Sequence, residues 1–274
     1  MSAVGDVVRP QLRTRIWLED AVPGHPGVTQ AAYCHGYDVA GDLLGRASWV
    51  EMLFLLLRGE APDASQVRLL EALAVLLANP GPRDPAVHAA MCAGSTGSTA
   101  AATLMAALAV GAGQLGGARE VHAAVTAWQQ LGRDLAGWQA ACEARRGAAP
   151  GVASIWPRTE HVPGFDPTAT ALSPWIEAAL ERLVALGGGP CLAWLLAHRA
   201  ALEAAAQAPL AMTGVAAAAL ADLGFTPAQS EMLHLLLRLP GSVAHALEQQ
   251  ALGPKQFPFF DLDLVNDPFD REAA

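Results

Sequence analysis

The sequence predicts an all-α protein, and its composition supplies the main evidence for that prediction. Of the 274 residues, 53% are apolar and only 6% are aromatic. Alanine and leucine make up most of the apolar residues, which favours packed helices over a β-sandwich rich in valine, threonine and tyrosine. A chain of this length buries a sizeable core, in one large domain or two modest ones.

Charge and cysteine content exclude several classes of function. The formal net charge is -9 with 17 Lys and Arg residues and no basic stripe, so we expect no nucleic-acid partner. The N-terminus lacks the apolar stretch of a secretory signal. The four cysteines are widely scattered without a CxxC pair, which argues against disulfides and against a metal site. We therefore predict a cytoplasmic protein.

Paired capping residues predict the first helices. Ser48 and Glu51 form a capping box ahead of an apolar run, and Gly59 supplies a stop. Asp63 and Gln66 repeat the arrangement before leucines that are spaced by three and four residues, which predicts one buried helix face.

A long uncharged stretch lies between His88 and Arg119. Its length raises the question of a membrane span, but it is rich in small residues and interrupted by several glycines. We predict a buried helix whose small residues allow close backbone approach, and no membrane partner.

The second half is irregular before it becomes helical again. Residues 143–170 hold several prolines and glycines, which predicts a long loop and a candidate wall of a site. Helices are predicted for residues 174–186 and 191–206, with the glycine run between them acting as a helix terminator rather than a phosphate cradle. A later helix is predicted to be interrupted at Pro240. Residues 257–274 alternate apolar and acidic side chains, and we expect an extended arm over the body or a partner.

Four segments, in the same order along the chain, resemble the citrate synthase superfamily. They are GYDV at 36–39 with LLLRGEAP at 55–62, the Gly-Gly-Ala segment ending at 118, PLAMTG at 209–214, and RLPGSVAHALEQ at 238–249. The first is similar to the family's RGYD and LLLxGExP signature, and the last to its RxxGxxAHxxEQ block. The short chain is similar to the compact, citryl-CoA-lyase-like branch.

The resemblance implies an all-α, dimeric fold with a large helical domain and a smaller one that closes over acyl-CoA. The large domain would comprise residues 1–118 and 224–274, and the small domain residues 119–223. The uncharged helix before Gly116 would pack near the subunit contact.

The resemblance also implies a Claisen-type formation or cleavage of a carbon–carbon bond. In the family, an aspartate removes a proton from the thioester methyl group, one histidine stabilises the enol, and a second histidine polarises the acceptor ketone. So weak a carbon acid needs a positioned base and a hydrogen-bond donor at the developing oxyanion.

This chain departs from the family at three catalytic positions. Leu115 stands where the family has a histidine before Gly-Gly-Ala, and a leucine side chain cannot donate to an enolate. The loop at Phe165 is contracted and lacks the family's second histidine. Thr213 stands at the family's aspartate, and its hydroxyl is not a useful base near neutral pH without a partner.

Three other residues are candidate replacements for the lost groups. His122 lies one turn past Ala118, and His161 and Asp166 lie in the contracted loop. A lone loop histidine such as His161 is more often solvated than functional.

Candidate substrate-binding residues come from the first and last family blocks. His35 stands where the family usually has an arginine, and Arg238 and His245 belong to the last block. Because arginine grips a carboxylate through two parallel hydrogen bonds, the histidine at position 35 weakens the case for a citrate-type ligand.

We therefore predict a citrate-synthase-like protein that has lost Claisen catalysis and acts as a non-catalytic or regulatory subunit. A coenzyme A thioester is the expected ligand, with no required cofactor, and the expected assembly is a homodimer or a hetero-oligomer with an active homologue. One alternative is an active acyl-CoA lyase or acyltransferase with a rebuilt site. Another is a purely structural dimer.

Overall fold

A small sheet is the first structural element of the described chain. The computed structural model describes residues 13–147 and 161–257. The three antiparallel strands of the sheet are β1 (Trp17–Val22), β2 (His25–Cys34) and β3 (Tyr37–Asp38), in that spatial order. Pro23 and Gly24 form the two-residue loop between β1 and β2, and Gly24 has φ +79°. The sheet was not predicted, because the composition of the whole chain does not reveal one small three-stranded sheet. A five-residue π-helical turn, Val39–Leu43, follows it.

Helices make up most of the remaining described chain, in agreement with the predicted fold class. In chain order they are α1 (Trp49–Arg58), α2 (Ala64–Leu77), α3 (Pro85–Ser95), α4 (Ala100–Gly111), α5 (Ala118–Leu131), α6 (Leu135–Gly147), α7 (Pro174–Ala185), α8 (Pro190–Ala206), α9 (Met212–Asp222) and α10 (Pro227–Leu252). A 3-10 turn, Pro254–Gln256, comes after α10. Within residues 13–147 and 161–257, no helix combines the length and the hydrophobicity that crossing a bilayer requires.

The predicted capping residues are confirmed. The Ser48 N–H donates to the Glu51 carboxylate at 2.7 Å, and the Glu51 N–H donates to the Ser48 hydroxyl at 3.3 Å. Asp63 and Gln66 make the same exchange, at 2.9 Å in each direction. Gly59 ends α1 in the left-handed conformation at φ +77°, a geometry that glycine adopts without steric cost.

Several predicted boundaries were wrong. The uncharged stretch forms two helices, α3 and α4, which are separated by a turn at Gly97. The predicted loop starts later, because α6 continues to Gly147. α10 runs through Pro240, and the neighbouring Gly241 N–H donates to the carbonyl of Ala78 at 2.7 Å. The backbone beside the proline therefore has a partner outside its own helix.

Two predictions concern parts of the chain that the structure does not describe. Residues 148–160 of the predicted loop and residues 258–274 of the predicted arm lie outside the described residues.

The first of two compact units comprises residues 1–76 and 114–234. Its central helix is α9, in which residues 213–220 are all buried, and α5 and α8 pack on it. Trp128, Trp138 and Trp194 cluster nearby, with ring centroids between 4.9 and 6.3 Å apart. The most buried helix therefore carries Thr213, one of the three departing positions.

The second unit comprises residues 77–113 and 235–274 and has a core of small side chains. Ala90, Ala107 and Ala246 are buried together, and Leu239 packs against them. A Cβ added at Gly94 would lie 2.4 Å from the carbonyl oxygen of Ala246, so the backbones meet at a distance that only glycine permits. The predicted close approach of small residues is confirmed. The predicted division at residues 118 and 223 stays a prediction.

Candidate functional site

A buried glutamate, Glu120, lies at the centre of the site. It is the third residue of α5, and its side chain is 1% exposed. Oε2 accepts from the Gly116 N–H at 2.5 Å, and Oε1 accepts from the Gly164 N–H at 2.7 Å and the Thr213 hydroxyl at 3.0 Å. The helix N-terminus also favours a negative charge at this position. One carboxylate therefore joins three segments that are far apart in the sequence.

His161 is the fourth group around this carboxylate. Its Nε2 lies 3.4 Å from Glu120 Oε1, and its side chain is 10% exposed. The expectation that this loop histidine is solvated was therefore wrong. The contracted loop folds inwards and carries His161 to the buried glutamate. We call Glu120, His161, Gly164 and Thr213 the Glu120 cluster.

Close backbone contacts fix the loop against the start of α9. The Ala211 N–H donates to the Gly164 carbonyl, and the Asp166 N–H donates to the Pro209 carbonyl, both at 2.9 Å. Gly164 has φ +90°, and a Cβ there would lie 2.9 Å from the Cα of Gly214. A side chain at position 164 would therefore force the two segments apart.

The three departing positions all belong to segments that Glu120 joins. Leu115 is 49% exposed and directly precedes Gly116. Phe165 is 3% exposed, follows Gly164 and forms an isolated β-bridge with Leu210. Thr213 is 4% exposed and bonds the carboxylate directly. Each segment therefore contributes one donor to Glu120, at or beside one of these three positions.

Asp166 is a turn-capping residue beside the cluster. Its Oδ1 accepts from the N–H and hydroxyl of Thr168, at 2.8 and 2.7 Å, and from the Ala169 N–H at 3.2 Å. Burial acts to raise the pKa of Asp166, but these hydrogen bonds and the nearby His161 together hold it below its usual value. Asp166 therefore stays ionised near neutral pH.

Two predicted site residues of the first unit, His122 and His35, are not among the hydrogen-bond partners given for Glu120. His122 is half-buried on α5, and its carbonyl accepts from the Thr126 hydroxyl at 2.8 Å. His35 has φ +48° and packs against Gly59 at the end of α1, where a Cβ would lie 3.3 Å from its ring. This contact gives His35 a packing role in the structure.

Arg238 and His245 belong to the second unit and have partners there. Arg238 forms an ion pair with Asp84, which caps α3. His245 Nε2 lies 3.1 Å from Asn79 Oδ1, and its Nδ1 lies 3.7 Å from Glu248. The substrate-binding roles predicted for them stay predictions.

Glu120 was missed by the sequence reasoning, although a signal for it was present. On α5 the apolar side chains of Val121, Ala124, Val125 and Trp128 are buried. Glu120 is four residues before Ala124 and eight before Trp128, so helical spacing places it on the buried face. An acidic residue on an apolar face needs donors, and that requirement points to a buried cluster.

The described residues show neither paired cysteines nor a metal cluster. All four cysteines are free. In the ranges 13–147 and 161–257, no three His, Cys, Asp or Glu side chains come together in a way that would hold a metal ion.

Family comparison agrees with the fold. Residues 25–256 match the family model described as citrate synthase, C-terminal domain. The chain belongs to the citrate synthase family. The predicted family and the predicted mostly helical fold are thereby confirmed. A comparison with curated protein sequences finds no match.

Three solved structures, of a citryl-CoA lyase and of two ATP citrate lyases, share the fold. The citryl-CoA lyase from Hydrogenobacter thermophilus is 19% identical with a TM-score of 0.70, over 94% of this chain and 95% of that chain. The ATP citrate lyase from Methanothrix soehngenii, in complex with citrate and coenzyme A, is 16% identical with a TM-score of 0.68. That match covers 96% of this chain but only 44% of the longer enzyme. A mutant ATP citrate lyase from Methanosaeta concilii, in complex with (3S)-citryl-CoA, gives a TM-score of 0.69 at 16% identity, with the same coverage of both chains.

Proposed function

We propose that this member of the citrate synthase family no longer carries out the Claisen reaction and acts as a non-catalytic or regulatory subunit. The Glu120 cluster is the observation that carries the proposal. The three segments that would bring the two histidines and the aspartate to the substrate each direct a donor at one buried carboxylate instead.

Accessibility explains why Glu120 is a poor replacement for the lost base. A general base must reach the proton that it removes, within about 3 Å or through one water. The Glu120 side chain is 1% exposed, and both of its oxygens already accept hydrogen bonds. Thr213, at the position of the family's aspartate, uses its hydroxyl as a donor to this carboxylate. The cluster therefore stabilises the fold rather than serving proton transfer.

A coenzyme A thioester is the ligand that we propose for the subunit. The support is family membership together with the structural relatives that were solved with coenzyme A or citryl-CoA. We propose the cytoplasm as its compartment, because the sequence pattern of the cysteines favours a reducing environment.

Two measurements on the purified chain test loss of catalysis and ligand binding separately. Exchange of the acetyl-CoA methyl protons in deuterium oxide, followed by NMR, and cleavage of citryl-CoA report catalysis. We expect neither above a no-protein control. A thermal-shift titration with acetyl-CoA, citryl-CoA and free coenzyme A reports binding, because a ligand that binds only the folded state raises Tm. Measurable exchange or cleavage would refute the proposal, and the absence of any shift would favour the purely structural alternative.

The active alternative has one observation in its favour, the buried proximity of His161 to a carboxylate. An imidazole beside a carboxylate is an arrangement that enzymes use for acid–base chemistry, and the nearby His161 contributes to lowering the pKa of Asp166. If the site is rebuilt for another acyl-CoA, His161→Asn abolishes turnover while leaving Tm within a few degrees. His25→Asn, at an exposed histidine of the same unit, is the control. Turnover of a panel of acyl-CoA thioesters that depends on His161 would establish this alternative.

Exposed apolar side chains on the second unit support a dimer. On α10, Leu236, Val243 and Leu247 follow one another at spacings of seven and four residues and are 47%, 39% and 60% exposed. On α4, Met105 is 63% exposed and Val110 is 44% exposed. Apolar surfaces of this kind mark protein–protein contacts, and we propose a homodimer as the simplest partner.

A charge on the α10 stripe tests the dimer. Leu247→Glu would place a carboxylate in the proposed contact, and we expect the mass measured by light scattering to fall from twice the chain mass to one chain mass. Val75→Glu, at a residue of α2 that is 74% exposed, is the control. A wild-type chain of monomer mass, in the presence and absence of coenzyme A thioesters, would contradict the homodimer.

A further inference from the structure

A cavity in the first unit shares no residue with the Glu120 cluster. Its volume is about 390 Å³, and its walls come from β3, the π-helical turn, α1 and the segment before α2. Met52, Leu55 and Pro62 give it an apolar floor. Small-molecule sites in proteins are concavities of about 300–1,000 Å³ with mostly apolar linings and a few polar groups, so both size and lining suit a ligand.

Three charged side chains line the same cavity, and their charges are unbalanced. Arg46 contributes one positive charge, and Asp42 and Glu51 contribute two negative charges. Asp42 Oδ2 accepts from the Asp38 N–H at 3.0 Å, and Glu51 Oε2 accepts from the Ser48 N–H at 2.7 Å. The other oxygen of Asp42 therefore remains available to a further donor, and Glu51 adds a second negative charge beside it.

The guanidinium of Arg46 is open to a ligand. Among residues 13–147 and 161–257, it forms neither an ion pair nor a hydrogen bond, although two carboxylates line the same cavity. A guanidinium offers five N–H donors in a planar fork that matches a carboxylate. The cavity thus presents donors and acceptors together, above an apolar floor.

The backbone around the cavity has two further features of a binding site. The π-helical turn closes with the Leu44 N–H donating to the Val39 carbonyl at 2.9 Å, and π-helical turns are frequent at functional sites. Leu44 and Trp49, which flank the lining segment, are 76% and 72% exposed. A ligand that enters the cavity would find apolar surface beside it.

We propose that this cavity binds a zwitterionic ligand with an apolar body, of the size and chemistry of an apolar α-amino acid. Arg46 receives the carboxylate, Asp42 and Glu51 receive the ammonium group, and the side chain lies on the floor at Met52 and Leu55. A simple carboxylic acid would leave the two protein carboxylates unmatched, and a simple amine would leave Arg46 unmatched. The site is independent of the proposed loss of Claisen chemistry.

A matched set of three probes tests the charge pattern. L-phenylalanine carries both charges, 3-phenylpropanoate lacks the ammonium group, and phenethylamine lacks the carboxylate. Binding to the full chain is measured by saturation-transfer difference NMR and isothermal titration calorimetry. We expect L-phenylalanine to bind about tenfold or more tightly than either truncated probe, because charge-assisted hydrogen bonds are the strong ones.

Variants assign each charge to its residue. Arg46→Gln removes the advantage of L-phenylalanine over phenethylamine, and Asp42→Asn removes its advantage over 3-phenylpropanoate. Met52→Trp fills the floor and abolishes binding of all three probes. Arg83→Gln, at an exposed arginine of the second unit, is the control for loss of one positive charge and leaves the affinities unchanged.

The same measurements have outcomes that overturn the proposal. No binding of L-phenylalanine at millimolar concentration would do so. Equal affinities for the three probes, or an Arg46→Gln variant that keeps the wild-type order, would also overturn it. Circular dichroism on each variant establishes that it is folded, and a Met52→Leu variant replaces Met52→Trp if the tryptophan prevents folding. Met52→Leu must then keep the wild-type order of affinities.

Discussion

Replacement of Glu120 tests whether the cluster holds the fold together. Glu120→Ala leaves the buried Gly164 N–H and the buried Thr213 hydroxyl without their acceptor, whereas the exposed Gly116 N–H can bond water. An unsatisfied buried donor costs about 1–3 kcal/mol, so the two donors together cost roughly 2–6 kcal/mol. Removing the carboxylate also removes the cost of burying a charge, and we expect a net loss of about 3 kcal/mol in the free energy of unfolding.

Glu120→Gln removes the carboxylate of residue 120 but keeps the shape of its side chain. The amide keeps one acceptor oxygen, loses the charge and turns an NH₂ group towards a donor, so we expect a loss of about 2 kcal/mol. Glu231→Gln is the matched control, because Glu231 forms a surface ion pair with Arg119 at 3.1 Å and such pairs contribute at most about 1 kcal/mol.

Urea unfolding followed by tryptophan fluorescence measures all three variants at one protein concentration. Trp128 is on the same helix as Glu120 and is 6% exposed, so its emission reports the loss of this packing. If Glu120→Gln and Glu231→Gln unfold within about 0.5 kcal/mol of each other, the range of ordinary surface substitutions, the central role of Glu120 is refuted.

Three further predictions concern the loop and a half-buried thiol. The pKa of Asp166 is lowered, so its contribution to stability is fully present above the usual value of 3.8 and is lost as the pH falls through the lowered value. Urea unfolding at pH 7 and at pH 3 should therefore show a smaller stability difference between wild type and Asp166→Asn at pH 3. A difference that stays constant between the two pH values would contradict this prediction. Gly164→Ala should lower the free energy of unfolding by at least about 2 kcal/mol more than Gly187→Ala. Both glycines have positive φ, but a Cβ at Gly164 would lie 2.9 Å from the Cα of Gly214, whereas a Cβ at Gly187 would have no neighbour within 4 Å. Equal losses for the two variants in the same urea assay would exclude a steric clash at Gly164. Burial, and to a lesser extent Asp222, raise the pKa of Cys191 to about 12, so at pH 8 its thiolate fraction is about a thousandfold below that of a thiol whose pKa is 9.0. Peptide mass spectrometry should therefore find Cys191 almost unlabelled by iodoacetamide. Rapid labelling would contradict the raised pKa.

Local signals account for the parts of the fold that the sequence predicts well. The starts of α1 and α2 depend on residues three positions apart, Ser48 with Glu51 and Asp63 with Gln66, and those pairs are visible without tertiary information. The path of α10 through Pro240 depends on a carbonyl of another segment, so the local rule that proline ends a helix gives the wrong boundary.

The candidate site was predictable in part, for the same physical reason. Leu115, Phe165 and Thr213 were recognised from their motifs, each within its own segment. Their meeting at Glu120 involves partners up to 93 positions apart in the sequence, for which one chain gives no signal beyond the buried helix face. The inward position of His161 depends on the same long-range contacts.

The Thr213–Glu120 hydrogen bond limits which carboxylates the Glu120 cluster can accept. A Thr213→Asp substitution would place a second carboxylate where a hydroxyl now lies 3.0 Å from Glu120 Oε1. Two carboxylates at that separation cannot both ionise at neutral pH, so the new group would not be a ready base. Removing Glu120 first would instead release the loop at Gly164. Neither single step is neutral, so an ionised aspartate at position 213 requires a paired substitution at position 120.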